Sequence, residues 1–170
     1  EIFFVGGCVR NVVLGEVASD IDMSTTAHPE VVMQLAKDAG LKAIPTGIDH
    51  GTITVLSSGT PFEITTFRRD VETNGRRAVV TFSDNILDDA RRRDFTMNAL
   101  YARLSGEIVD PLGGMKDALA RRIRFIEDAD QRIREDYLRT LRFFRFSAWY
   151  GADDWGFDLD ALHAISSNLD

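Results

Sequence analysis

The sequence predicts an α+β fold, a small mixed sheet followed by an all-helical part. Three observations carry this. Strand-like and helix-like runs alternate at the start of the chain, an antiparallel hairpin follows, and after Thr81 the apolar spacing is mostly helical. "IFFVGG" reads as a buried strand ending in a glycine turn, and "CVRNVVLG" as a short helix closed by Gly15. "DIDMST" alternates like a second strand. "HPEVVMQLAKDAG" places Pro29 at a helix start and Gly40 at its stop. "GTITVLSSGTPFEITTF", rich in β-branched residues and interrupted by "SSGTP", is a hairpin. Arg68 to Thr81, with its charges and Gly75, reads as a long mobile loop. "DNILDDARRRDFTMNALYARL" is then mostly helical, "EIVDPLGG" is a link, and a long helix is expected from Arg134 to Tyr150. The organisation divides at Asp110 to Gly114, giving units 1–112 and 113–170. There is no internal repeat or low-complexity segment.

A chain of 170 residues with 44% hydrophobic composition can bury one solid core, or one with a small companion. The lone cysteine, Cys8, excludes an internal disulfide framework, and three scattered histidines give no zinc-ligand spacing. A reducing, cytoplasmic setting is expected. No apolar run reaches membrane-spanning length, and no secretory leader pattern opens the chain, so no membrane partner is expected. The net charge of −7 argues against a general positive field for nucleic acid. Within that acidic average, however, 17 arginines stand against 3 lysines and cluster in "ARRRD", "RRIR" and "RTLRFFR". The guanidinium fork suits phosphate and base edges, so a local phosphate site fits; solvated helix faces account for the other arginines.

Asp20 and Asp22 stand on alternate positions of the second strand, which turns both carboxylates to one face. Hard oxygen donors held that close suit magnesium; a plain surface strand also carries such a pair. Glu63, in "FEITTF", is either a third carboxylate for that site or an ordinary edge-strand charge. Gly6 and Gly7 end the first strand and open a helix, where unpaired N–H groups face an anion without side chains in the way. Arg10, one turn in, adds a donor for a phosphate, and His50 and Cys8 read as structural. On the long helix, Tyr137, Leu141, Phe144 and Ala148 recur at helical spacing and are expected to form a buried stripe, with Asp136, Arg139 and Arg142 on the other side.

The run G-G-x-V-R-x-x-x-L-G before D-x-D, then "RRDFTMNAL", "DPLGGMKD" and "EDYLRTLRFFRF", resembles in order and spacing the signature series of class II tRNA nucleotidyltransferases. That family holds the CCA-adding enzymes and bacterial poly(A) polymerases and belongs to the polymerase-β-like nucleotidyltransferases. The resemblance runs from Phe4 to Phe146. It implies a catalytic head followed by a helical neck, both part of a longer protein whose further regions grip tRNA. It implies that Asp20 and Asp22, with Glu63, serve catalysis, the two aspartates holding Mg2+. Gly6, Gly7 and Arg10 would meet the triphosphate, and Arg93 and Asp94 the ribose. Asp136 and Arg139 would read the base of CTP or ATP, Arg142 and Arg145 would contact the nucleotide, and "DPLGGMKD" would act as a hinge, its paired glycines being equally consistent with a static turn. The implied activity is addition of CMP and AMP to the tRNA 3′ end. Poly(A) or A-only addition, and a nucleotide-binding domain without catalysis, are the alternatives. "PTGIDHGTITV" and a full-length loop after Arg68 are closer to the CCA-adding pattern. Asn11 and Tyr137 depart from the family pattern.

Overall fold

The structure, a computed structural model, describes residues 1–18, 20–74, 77–152 and 156–168, with backbone alone over 71–74 and 77–79. Its centre is a seven-stranded mixed sheet in the order β3-β4-β5-β2-β1-β8-β9. Strand β1 (Ile2–Val5) pairs antiparallel with β2 (Asp22–Thr25), and β2 runs parallel to β5 (Thr60–Thr66). β3 (Lys42–Gly47) and β4 (Thr52–Ser57) extend one side, and the short β8 (Tyr101–Ala102) and β9 (Ile108–Val109) the other.

Local chemistry sets the early elements as the sequence predicts. Helix α1 (Gly7–Val13) leaves β1 through Gly6, whose φ of 72° suits glycine. Helix α2 (Pro29–Asp38) starts on Pro29, buries Val32 and Ala36 on the sheet, and stops at Gly40. The β4–β5 hairpin turns on Ser58 and Gly59, both with positive φ as a tight two-residue turn requires.

Four expectations give way. Arg68 to Thr81 is no loop: β6 (Arg68–Asn74) and β7 (Arg77–Phe82) form a separate antiparallel hairpin, while Gly75 lies outside the described residues. Phe82 seats its base against Gly51 and His28, a long-range contact that local charge density conceals. The stretch after it is helical only over α3 (Ile86–Arg91) and a 3-10 turn at Thr96–Asn98. The chain then joins the sheet as β8, because Phe95, Met97, Leu100 and Tyr101 are all wholly buried and no single helix face could bury them.

The long helix is two helices, α5 (Ala129–Glu135) and α6 (Leu138–Tyr150). They part at Asp136, whose backbone is extended and whose carboxylate accepts from Leu138 N at 3.0 Å. Finally, the expected buried stripe faces outward: Tyr137, Leu141 and Phe144 are 59, 68 and 40% exposed, and Ala148 is exposed too. Phe143 and Phe146 take the core instead, packing on Phe95 and Phe125; burial of Phe143 alone is worth about 2–3 kcal/mol. In a helix rich in apolar residues on all sides, spacing alone does not say which face meets the protein.

That core is continuous from Cys8 and Val9 of α1 to Ala161, Ala164 and Ile165 of α7 (Leu159–Ser167). It therefore fastens α6 against the sheet side of the molecule. Asp110 accepts from Gly114 N and Met115 N at 2.8 and 2.9 Å, opening α4 (Gly114–Leu119). A Cβ at Gly114 would meet Thr96 O at 2.1 Å, so this glycine is required by close packing.

Candidate active site

A cavity of about 760 Å³ lies between the β1–α1 turn and β2 on one side and α6 on the other. Gly6, Gly7, Arg10, Asp20, Asp22, Arg93, Asp94, Asp136, Arg139 and Arg142 all line it. These span 137 positions of sequence from first to last, and the fold brings them to one cleft. Glu63 and Arg145 are not in its lining.

The acidic edge comes from β2 and β5. Asp22 opens β2 and sits in register with Glu63 on parallel β5, so the two side chains share a face. Asp20 precedes the strand in a bend, rather than lying within it as the alternation predicts, and still reaches the same cavity. Partial desolvation in the cleft pushes the Asp22 carboxyl above the ordinary range, Glu63 and Asp20 add to this, and Arg93 opposes it. Among the described residues no three acidic, thiol or imidazole groups converge as a ready metal cage. The donors are nonetheless carboxylate oxygens crowded by like charge, a set that fits a hard cation whose remaining ligands are water and phosphate. The Cys8 thiol donates to the Val5 and Asp22 carbonyls at 3.4 and 3.8 Å, a structural role.

Arg10 is 5% exposed. It donates to Asn98 Oδ1 (2.5 Å), Asn11 Oδ1 (2.8 Å) and Tyr150 Oη (2.8 Å), and its guanidinium lies 4.1 Å from the centre of the Tyr150 ring. Burial lowers its pKa, with Tyr150 opposing. The side chain thus pins α1 to the end of α6 while lining the cavity.

On the wall beside the glycine turn stands a buried cluster. Asp89 of α3 accepts from Arg92 Nε (2.9 Å), Arg93 Nη2 (2.9 Å) and Tyr101 Oη (2.8 Å), and Ser24 Oγ is 3.5 Å away. Burial, which would raise it, is outweighed by Arg93 and Arg92, and the Asp89 carboxyl is held down to about 2. Burial likewise opposes the Arg93 charge, yet Asp89 and Tyr101 hold its pKa above the ordinary value.

Helix α6 supplies the opposite wall. Asp94 accepts from Arg142 Nε and Nη2 at 2.7 and 2.6 Å, a two-pronged pair between the "RRD" segment and α6. Arg139 donates from Nη1 to Glu135 (2.7 Å) and Arg132 O (2.9 Å), and from Nη2 to Arg92 O (3.2 Å). Arg145 is exposed and rests against the Phe146 and Trp149 rings, 5.8 and 5.5 Å from their centres.

Sequence reasoning missed Asp89, Asn98, Glu135 and Tyr150. Asp89 and Glu135 stand four residues before Arg93 and Arg139, a helical pairing signal already present in the sequence. Asn98 is a polar residue set in an apolar run. Tyr150 gives no such signal, because its partner Arg10 is 140 positions away.

Comparison with known proteins bears on the same stretch. The family model described as the poly A polymerase head domain matches residues 2–124. The chain is 40% identical over 169 residues to the mitochondrial CCA tRNA nucleotidyltransferase 1 of Danio rerio, covering 99% of this chain and 39% of that protein. It is 43% identical over 171 residues to a CCA-adding enzyme of Oceanobacillus iheyensis, covering 99% and 42%. The fold matches a crystal structure of the Bacillus stearothermophilus CCA-adding enzyme in complex with CTP, with a TM-score of 0.84 at 39% identity, over 99% of this chain and 39% of that one. The chain therefore spans about two fifths of the length of these relatives. With a cleft lined by every signature segment except "DPLGGMKD" and a family model matching residues 2–124, this chain belongs to the poly A polymerase head domain family.

Proposed function

We propose that this chain is the catalytic and base-selecting portion of a template-independent nucleotidyltransferase that adds CMP and AMP, from CTP and ATP, to the 3′ end of tRNA. The observation that carries this reading is one cavity lined by Asp20 and Asp22 on one wall and by Asp136 and Arg139 on the other. Residues 1–112 would form the catalytic head and 113–170 the neck. The relatives named as CCA-adding enzymes, and the CTP in the similar crystal structure, support the same substrates. No helix among the described residues is long and apolar enough to cross a membrane.

In this reading the 3′-hydroxyl oxygen of the RNA attacks the α-phosphorus, its proton leaves, and the bond to the departing pyrophosphate breaks in line. Asp20 and Asp22 hold magnesium, with Glu63 supporting Asp22 from the neighbouring strand. Divalent ions held there by Asp20 and Asp22 would lower the pKa of the attacking hydroxyl and neutralise charge on the departing pyrophosphate. Gly6 and Gly7 admit the triphosphate close to the backbone, beside the Arg93 guanidinium. Asp94 sits where it can meet the ribose once Arg142 yields part of its hold, and Arg10 braces the turn.

Base choice follows from donor arithmetic. A guanidinium has five N–H donors. Three of those on Arg139 are committed to Glu135, Arg132 and Arg92, which leaves Nε–H and one Nη2–H. Those two suit the ring acceptors of cytosine or adenine, while the free oxygen of Asp136 accepts from the exocyclic amine. Guanine and uracil put a carbonyl against that carboxylate, a mismatch that costs about 1–3 kcal/mol per lost contact.

The test is incubation of a tRNA lacking its 3′ end with magnesium and labelled CTP, ATP, UTP or GTP. Label from CTP and ATP alone, lost in Asp22→Ala, is the expected result. Labelling that survives Asp22→Ala, or that includes UTP and GTP, removes the assignment.

A further inference from the structure

A carboxylate with no exposed surface has to be paired, and one arginine would suffice to pair it. Asp89, 0% exposed, instead engages the guanidinium groups of both Arg92 and Arg93, and both arginines line the nucleotide cavity. The remaining contacts of the cluster fix where Arg93 points. Its Nε donates to Tyr101 Oη at 3.3 Å, and its Nη2 to Asp89 at 2.9 Å and Ser24 at 3.4 Å. Its Nη1 is turned the other way: a Cβ added at Gly6 would stand 3.4 Å from it. The one end of the guanidinium not held by the cluster therefore looks at the glycine turn.

Ser24 ties this arrangement to the acidic edge. It lies two residues beyond Asp22 on β2, so the strand that presents Asp22 also touches the carboxylate that aims Arg93. Two guanidinium charges against one buried carboxylate leave one net positive charge facing the turn, held without the rotamer entropy a free arginine would lose on binding.

We propose that Asp89 is the positioning residue for polyphosphate in this cavity, fixing Arg93 and Arg92 in register with Asp22 so that the Arg93 Nη1 donors point at the Gly6–Gly7 turn. The inference rests on the nucleotidyl-transfer reading above. It predicts a role confined to the phosphates beyond the first, and apart from base selection by Asp136 and Arg139.

The experiment is calorimetric titration of the chain, with magnesium, by CTP, CMP and inorganic pyrophosphate. In Asp89→Asn the affinities for CTP and pyrophosphate are expected to fall by roughly tenfold to a hundredfold, the scale of a misaimed charge-assisted contact, while CMP changes by less than about twofold. Wild-type pyrophosphate affinity in a folded Asp89→Asn, or equal loss for CMP and pyrophosphate, overturns the proposal, since a merely structural role moves all ligands together. Should Asp89→Asn fail to fold, Tyr101→Phe removes a hydroxyl that anchors Arg93 and keeps the ion pair. It is expected to weaken pyrophosphate by about twofold to fivefold and spare CMP, and an unchanged pyrophosphate affinity there also overturns the role. If the unaltered chain binds neither CTP nor pyrophosphate, the nucleotidyl-transfer reading itself falls, and that result is distinct from any behaviour of the variants.

Discussion

On the strand side of the cavity, Asp22 stands in register with Glu63 and within electrostatic reach of Asp20, and partial burial raises its pKa, with both like charges adding to the rise. The helical elements, α3 beside the glycine turn and α5 and α6 opposite it, pair their acids instead: Asp89 and Asp94 are each met by guanidinium nitrogens within 2.9 Å, and Glu135 is bonded by both Arg132 and Arg139. The difference separates two ways of preparing a site. Acids crowded together raise the free energy of the empty protein and give a cation something to relieve. Acids matched to arginines stabilise the empty protein and hold each donor in one direction, as recognition of a planar base or a phosphate requires. Substitutions on the two sides should therefore change stability in opposite directions.

The largest effect is expected at Asp94, where the matching is closest. This carboxylate accepts from Phe95 N, Asn98 Nδ2 and two nitrogens of Arg142, so it joins the segment after α3 to α6. Asp94→Ala leaves those donors without a partner and should cost about 2–3 kcal/mol in urea-induced unfolding, the partial exposure of Arg142 keeping it below a fully buried pair. A loss under about 0.5 kcal/mol would show that the pair adds little and that the hydrophobic core alone holds α6 in place.

Asp89 gives the next effect, and its signature is in acid. Its folded pKa of about 2 lies below its ordinary value of 3.8, so the ionised form is favoured by the fold. Its contribution is therefore complete above the ordinary value and is lost as the pH falls toward the folded one; the gap is worth roughly 2 kcal/mol. The stability difference between the unaltered chain and Asp89→Asn should narrow by about that amount between roughly pH 5 and pH 2. Parallel stability curves across that range would mean that Asp89 does not carry the ionic link to Arg92 and Arg93.

How much of this was legible beforehand differs between the same two sides. The acidic edge and glycine turn depend on local features, strand alternation and a turn after a strand, and both appear where the sequence puts them, apart from Asp20 lying just before β2. The helical side was legible in its residues but not in its faces. "RTLRFFRFSAWY" has apolar groups all round, and only the packing of Phe143 and Phe146 on Phe95 decides that Arg142 turns to the cavity and Leu141 to solvent. The β6–β7 hairpin escaped for a related reason: it is charged on both strands and is fastened at its base by Phe82 against Gly51. Arg145, placed with the nucleotide contacts by family resemblance, is not itself in the cavity lining but stacks on Phe146 and Trp149, which are.

The smallest expected effect has the opposite sign and tests the comparison most directly. Asp22→Asn keeps the size of the side chain and removes one of the charges crowded at the end of β2. On the helical side such a change strands a donor; here it relieves repulsion with Glu63 and Asp20. Solvent screens much of that repulsion at an exposed carboxylate, so the gain at neutral pH should be no more than about 0.5 kcal/mol. Thermal unfolding with and without magnesium separates this gain from chance. Without the ion, Asp22→Asn should melt at or slightly above the unaltered chain. With it, only the unaltered chain should rise, because a ligand that binds the folded state stabilises in proportion to its occupancy. If Asp22→Asn melts well below the unaltered chain in both conditions, Asp22 is a structural acid like Asp94, and the two sides of the cavity are alike after all.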